Sequence, residues 1–148
     1  MKPLTTAPLS LHIFLVENHP DTRTYLRMYL EEGGHVVREA EDVAETLRFI
    51  GKAACDVLLC DVGLPDGDGW DLLARLRKTN AAPPYAIAMS GFGLSGDRER
   101  SKSAGFRHHL VKPFEPEKLD ALLEEAARES VGAPGERRRG KKKATVSR

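Results

Sequence analysis

The sequence predicts an α/β fold: a doubly wound, five-stranded parallel sheet with helices on both faces. Three observations carry this. Five short apolar runs alternate with five helix-like segments, which is the pattern of βαβ units and a parallel sheet. Right-handed crossovers then distribute the helices over both faces. Glycines stand where strands and helices meet, at Gly33-Gly34, Gly51, Gly63, Gly67, Gly69, Gly91, Gly93 and Gly105.

The elements follow in order. The first strand is LHIFLV (Leu11–Val16). It ends on Glu17-Asn18, and His19-Pro20-Asp21 turns the chain into a first helix that buries Leu26, Tyr29 and Leu30. The second strand is HVVREA (His35–Ala40). A second helix starts near Asp42, with Glu45 three residues on as in a capping box, and Val43, Leu47 and Ile50 share a face. DVLLC (Asp56–Cys60) is the third strand, and a third helix from about Trp70 offers Leu72, Leu73 and Leu76 to the core. YAIAM (Tyr85–Met89) is the fourth strand. The segment SGDRERSKSA has almost no apolar stripe, so the fourth helix is expected to be the most exposed and most mobile. HHLV (His108–Val111) is the fifth strand. In the last helix Pro116 suits the first turn, and Leu119, Leu122, Leu123, Ala126 and Ala127 recur at helical spacing.

A chain of 148 residues, 41% hydrophobic and 30% charged, suits one domain with a real core. No apolar stretch approaches the roughly 18 residues of a membrane span. The N-terminus MKPLTTAPLS lacks the apolar region of a signal peptide, so the expected location is the cytosol. Cys55 and Cys60 are too few for a four-ligand metal site and read as reduced, mostly buried thiols. The net charge of +1 conceals an asymmetry. From Gly132 onward seven basic residues face only Glu136, a net +6, which leaves 16 basic and 21 acidic residues, or −5, in the remainder. The expected organisation is an N-terminal extension (1–9), a globular domain (10–131) and a basic disordered tail (132–148).

In an open parallel sheet, chemistry gathers at the carboxyl ends of the strands. Glu17 and Asn18 follow the first strand, Asp61 the third, Ser90 the fourth and Lys112 the fifth. Asp61 can act as a nucleophile toward a phosphoryl group and form an acyl phosphate. Oxygen ligands from Glu17 and Asp61 suit Mg²⁺. Lys112 can neutralise a phosphoryl oxygen, and Ser90 can donate a hydrogen bond to another. Phosphoryl transfer asks a protein mainly for this positioning and charge neutralisation.

With those positions in place, the chain from about Leu11 to Ser130 resembles the receiver domain of two-component response regulators. The matching pieces, in order, are FLVENHPDTR, DVLLCDVGLPDGDGWDLL, AMSGFG and AGFRHHLVKPF. The resemblance implies the flavodoxin-like strand order 2-1-3-4-5. It implies that Asp61 is the phosphoacceptor, served by a sensor histidine kinase or a histidine phosphotransfer protein. Glu17, Asp61, the Asn18 amide and the backbone carbonyl of Gly63 would hold Mg²⁺. Ser90 would be the switch hydroxyl, Lys112 would bind the phosphoryl group, and the Lys112–Pro113 bond would be cis. His109 falls where the family places a rotating aromatic residue. Output would come from docking on the face of the fourth helix, fifth strand and fifth helix. Such a protein is not a turnover enzyme.

The family usually has two acidic residues where this chain has Glu17-Asn18. A neutral amide attracts Mg²⁺ less than a carboxylate does, so the expectation is weaker Mg²⁺ binding. It also motivates a competing reading, a degenerate receiver that binds proteins without phosphorylation. The basic tail would give salt-dependent, unspecific attraction to nucleic acid. The acidic pair in PDGDG, Asp66 and Asp68, resembles a calcium loop, but no glutamate closes it. It also resembles the Asp-x-Asp of a phosphatase, but no strand runs into Asp66. A turn that launches the third helix is the reading that remains.

Overall fold

The structure, a computed structural model, describes residues 10–91 and 95–132. The expected extension at 1–9 and the tail beyond Gly132 lie outside the described residues. The chain divides into two units, one ending at Phe114 and the other beginning at Glu115.

The first unit holds a five-stranded parallel sheet: β1 (His12–Val16), β2 (Val36–Ala40), β3 (Val57–Asp61), β6 (Tyr85–Ser90) and β7 (His108–Val111). Their order is β2-β1-β3-β6-β7, which is 2-1-3-4-5 counted over the sheet's own strands. The two-residue strands β4 (Gly63–Leu64) and β5 (Gly67–Asp68) form a small antiparallel ladder. Four helices belong to this unit: α1 (Pro20–Glu32), α2 (Val43–Phe49), α3 (Gly69–Lys78) and α4 (Ser95–Ala104).

Strand composition reports position in the sheet. Every residue of β3 and β6 is buried, as expected where both faces are covered. The edge strand β2 buries only Ala40 fully. One core face joins Phe14 and Val16 of β1, Leu58 and Cys60 of β3, and Ala86 and Ala88 of β6 to Leu72, Leu73 and Leu76 of α3 and Val43 of α2. The alternate residues Ile13, Leu15, Leu59, Ile87 and Met89 are buried as well; they point to the opposite face because side chains alternate along a strand. α1 adjoins β1 and β2 and buries Leu26 and Leu30, while Tyr29 is half-buried and stacks on Tyr25.

Two details differ from the sequence reading. Leu47 is exposed, and the buried position on that turn of α2 is Thr46. Thr46 tolerates this because its hydroxyl donates to the Asp42 carbonyl at 2.9 Å. The capping box is also shifted by one. Asp42 Oδ1 accepts from Glu45 N–H at 2.9 Å, but Glu45 Oε1 accepts from Glu41 N–H rather than from Asp42.

The second unit contributes α5 (Pro116–Gly132), which runs on through the first residue assigned to the tail. It buries Leu119, Leu123, Ala126 and Ala127, with Leu122 half-buried. No described helix is long and apolar enough to cross a membrane.

Candidate functional site

The strands are parallel, so their carboxyl ends share one edge of the sheet. Order reverses between β1 and β3, and the crevice opens at such a point. The backbone ladder continues one residue past three strands: Glu17 N–H donates to Ala40 O (3.1 Å), Val62 N–H to Met89 O (2.9 Å) and Lys112 N–H to Ser90 O (2.8 Å). These bonds fix where Glu17, Asp61 and Lys112 leave the sheet. The Lys112–Pro113 peptide is cis.

Three charged side chains meet there. Lys112 Nζ donates to Asp61 Oδ2 at 2.6 Å and to Glu17 Oε1 at 3.0 Å. Asp61 Oδ1 accepts from the backbone N–H of Gly63 at 2.8 Å. Glu17, fully buried at 0% exposure, uses its second oxygen to accept from His19 N–H at 3.0 Å, with the His19 ring Nδ1 at 3.1 Å. Each carboxylate oxygen therefore has a partner, as buried charges require.

The acidities follow from these contacts. Burial raises the Asp61 carboxyl, and the negative Glu17 adds to it; bonds from Lys112 and Gly63 oppose this, and the net shift is upward. Burial also pushes Glu17 up, but Lys112 and His19 outweigh it and hold the carboxyl below its usual range. Burial alone would lower Lys112; its bonds to Asp61 and Glu17 raise it instead, so the ammonium stays charged.

Ser90 ends β6 beside this trio and is buried at 4% exposure. Its Oγ lies 2.8 Å from Nε2 of His109 on β7. The amide Nδ2 of Asn18 donates to the Glu41 carbonyl at 3.5 Å. Arg23 and His19 were not singled out by sequence reasoning. Arg23 donates to the carbonyls of Glu17 (2.8 Å) and Asn18 (3.4 Å), which ties α1 to the end of β1.

Residues 13–124 match the response regulator receiver domain, well over half of the 148 residues. This chain belongs to that family. The receiver is 33% identical over 116 residues to a Leptolyngbya boryana protein described as an uncharacterized 14.6 kDa protein in the sodA1 3′ region, across 78% of this chain and 88% of that one. It is 29% identical over 122 residues to the virulence transcriptional regulatory protein PhoP of Salmonella typhimurium, across 82% of this chain and 54% of that one, so it spans about half of PhoP's length. Among solved structures, the receiver domain of sensor histidine kinase PA1611 from Pseudomonas aeruginosa matches with a TM-score of 0.71 at 30% identity, over 79% of this chain and 97% of that one. That structure has a magnesium ion coordinated in its active-site cleft.

The receiver's own residues fit a divalent cation in one respect. Glu17 and Asp61 already converge on a cation, the Lys112 ammonium, and Mg²⁺ is commonly held by one or two carboxylates plus waters. Among the described residues, no three His, Cys, Asp or Glu side chains gather as a metal site.

Proposed function

We propose that this receiver accepts a phosphoryl group on Asp61 and signals by changing its docking surface. One observation carries the reading: a buried carboxylate at the end of β3 is gripped by the Lys112 ammonium at 2.6 Å and a backbone N–H at 2.8 Å. In the transfer, an Asp61 carboxylate oxygen forms a bond to phosphorus. The P–N bond of a donor phosphohistidine breaks, and the imidazole leaves with the electron pair. The upward shift of Asp61 describes a more basic, hence more nucleophilic, carboxylate. Lys112 neutralises a phosphoryl oxygen, and Ser90 donates to another. Bound Mg²⁺ would supply further charge neutralisation, held by Glu17, Asp61, the Gly63 carbonyl and the Asn18 amide. The product stays on the protein until it is hydrolysed, so the receiver is not a turnover enzyme.

The donor is a sensor histidine kinase or a histidine phosphotransfer protein. The receiver occupies residues 10–131, and its output is a surface carried by α4 and β7 that docks a downstream protein. Residue 109 supports this, because His109 joins Ser90 to that surface.

A second reading is favoured by Asn18, a neutral amide whose Nδ2 donates to the Glu41 carbonyl at 3.5 Å. A receiver with a weakened cation site would act as a phosphorylation-independent binding module. Intact mass separates the two. Incubation with a small phosphodonor and Mg²⁺ is expected to add one phosphoryl group to the wild type and none to Asp61→Ala. A wild type that gains nothing at saturating Mg²⁺ and with a cognate kinase leaves the binding module standing.

A further inference from the structure

α4 has little apolar surface with which to hold the body. Ala104 is its one hydrophobic residue, and among its described side chains only Ser101 is fully buried, at 1% exposure. Three of its polar contacts converge on the start of α3. Trp70 Nε1 donates to Ser101 Oγ at 2.8 Å. The Arg100 guanidinium lies over the Trp70 ring, 4.1 Å from its centroid. The same guanidinium is 3.9 Å from Oδ2 of Asp68, two residues before Trp70. Further along, Arg77 of α3 donates to the Gly105 carbonyl at 3.4 Å, just past the end of α4. α4 also reaches β7, where Ser101 Oγ is 2.7 Å from His109 Nδ1 and Arg98 donates to the His109 carbonyl at 3.4 Å.

Trp70 in turn is fixed to the strand that carries Asp61. Gly69 N–H donates to the Val62 carbonyl at 2.9 Å, and a Cβ on Gly69 would meet the Asp61 carbonyl at 2.8 Å. Backbone packed this closely transmits displacement. The half-buried indole packs against the core on that side of the sheet, while its N–H and one ring face serve α4. The magnitudes show what this supplies. A neutral hydrogen bond is worth about fivefold in an equilibrium. A cation over an indole at an exposed site adds about two- to fivefold, and the ion pair at an exposed surface adds little. Trp70 therefore contributes roughly tenfold to keeping α4 in place, on a helix with no apolar stripe to contribute more.

We propose that Trp70 is a positioning residue that seats α4 and joins it to the end of β3, by a connection separate from the Ser90–His109 contact. The seat rests on contacts of the unphosphorylated chain; its use in signalling rests on the phosphoacceptor reading of Asp61. A displacement of the β3 end passes through Val62 and Gly69 to Trp70, and from the indole to Arg100 and Ser101 together. α4 then exchanges between a docked and a released arrangement as one local unit. Such an element, biased from the strand end and read on the surface, is what coupling requires.

Amide hydrogen exchange of the full chain, followed by NMR at one pH, measures the seat directly. Trp70→Phe keeps an aromatic ring and removes the N–H and the larger π face. Its α4 amides should exchange roughly tenfold faster than in the wild type, with those of β3 and β6 unchanged. Arg100→Ala should speed the same amides about two- to fivefold. In the double variant the gain should fall short of the product, because the stack is lost only once. Unchanged α4 exchange in Trp70→Phe overturns the proposal. So does equal acceleration in β3 and β6, which a residue that only packs the core would give. If Trp70→Phe does not fold, Ser101→Ala removes the acceptor from the other side and must meet the same two criteria. Repeating the exchange with Asp61 phosphorylated by a small phosphodonor in excess tests the joining role. α4 protection should change in the wild type and change less in Trp70→Phe. No change in the wild type, or an equal change in both, overturns that role. A wild type that gains no phosphoryl group fails the reading of Asp61 and leaves the seat to the exchange of the unphosphorylated chain.

Discussion

Asn18 differs from an aspartate by one amide group, and its surroundings say what that group does. Its Nδ2 donates to the Glu41 carbonyl at 3.5 Å. An aspartate there would set a carboxylate oxygen against that carbonyl and add a negative charge next to Glu17 in the chain. Without a cation, that charge is unfavourable; in the Mg²⁺ site proposed above it would be a third anionic ligand. Asn18→Asp should therefore lower the thermal midpoint slightly in chelator and raise Mg²⁺ affinity roughly tenfold, since ligand charge count tunes such sites over decades. Isothermal titration of both forms, with thermal melts in chelator, checks this; equal affinities would refute the role of residue 18. At this scale the legible residues were those that end strands with chemistry attached, namely Glu17, Asp61, Ser90 and Lys112. His19 and Arg23 were not legible, because a polar side chain just past a strand reads the same whether or not it is recruited. The cysteines needed only their apolar context. Both are free, and burial pushes the Cys55 thiol up to about 12.

The elements show how the loop after β3 serves two helices at once. Sequence offered Asp66 and Asp68 as a false calcium loop, and the turn reading held for Asp68, which caps α3 by accepting from Asp71 N–H at 2.7 Å. Asp66 does something the sequence could not display, because its partners lie more than twenty residues back. Its two oxygens accept from Val43 N–H (2.8 Å) and Ala44 N–H (3.0 Å) at the start of α2. With Asp42 Oδ1 holding the N–H of Glu45, three of the donors left without an intrahelical partner at the start of that helix are bonded. Asp66→Ala should cost about 1 kcal/mol, the usual weight of a helix cap. The bond from Val43 N–H, then that from Ala44, holds the Asp66 carboxyl below its ordinary value. Its contribution is thus complete above the usual carboxylate range and is lost as pH falls through the lowered folded value. The gap in urea midpoint between wild type and Asp66→Ala should close below about pH 4. Gly69 shows the other constraint on this loop. A Cβ there would lie 2.8 Å from the Asp61 carbonyl, 3.0 Å from Val62 Cα and 3.1 Å from Cys60 Sγ. Backbone cannot yield as a flexible side chain does, so Gly69→Ala should cost about 2–3 kcal/mol. Gly51→Ala, with nothing within 4 Å of its Cβ, should leave the thermal midpoint unchanged. A melt of Gly69→Ala that matches the wild type would show that the loop can give way.

Across the whole molecule, the five-strand alternation was legible because fully buried strands such as VLLCD stand out between amphipathic helices. Pairing order came through the family resemblance, since apolar runs do not encode their neighbours. Charge is also legible at this scale, and it leads to a prediction about the chain as a unit. Residues 1–131 carry a net −5, and the segment from Gly132 a net +6. An acidic body disfavours polyanions, so any affinity for nucleic acid should belong to the seven cations of that segment. If all seven contact phosphates, the logarithm of the binding constant for duplex DNA should fall against the logarithm of salt with a slope of about −6. Fewer contacts reduce the slope in proportion. Deleting residues 133–148, which spares α5 to its end at Gly132, should abolish binding at low salt while leaving Asp61 phosphorylation unchanged. Binding should also be indifferent to base sequence, because phosphate contacts carry no sequence information. Fluorescence anisotropy with two unrelated duplexes, titrated over salt for both lengths of chain, measures slope, specificity and the effect of deletion together. A truncated chain that binds as tightly as the full one would place the affinity on the acidic body, against its charge, and would sink the assignment to the basic segment.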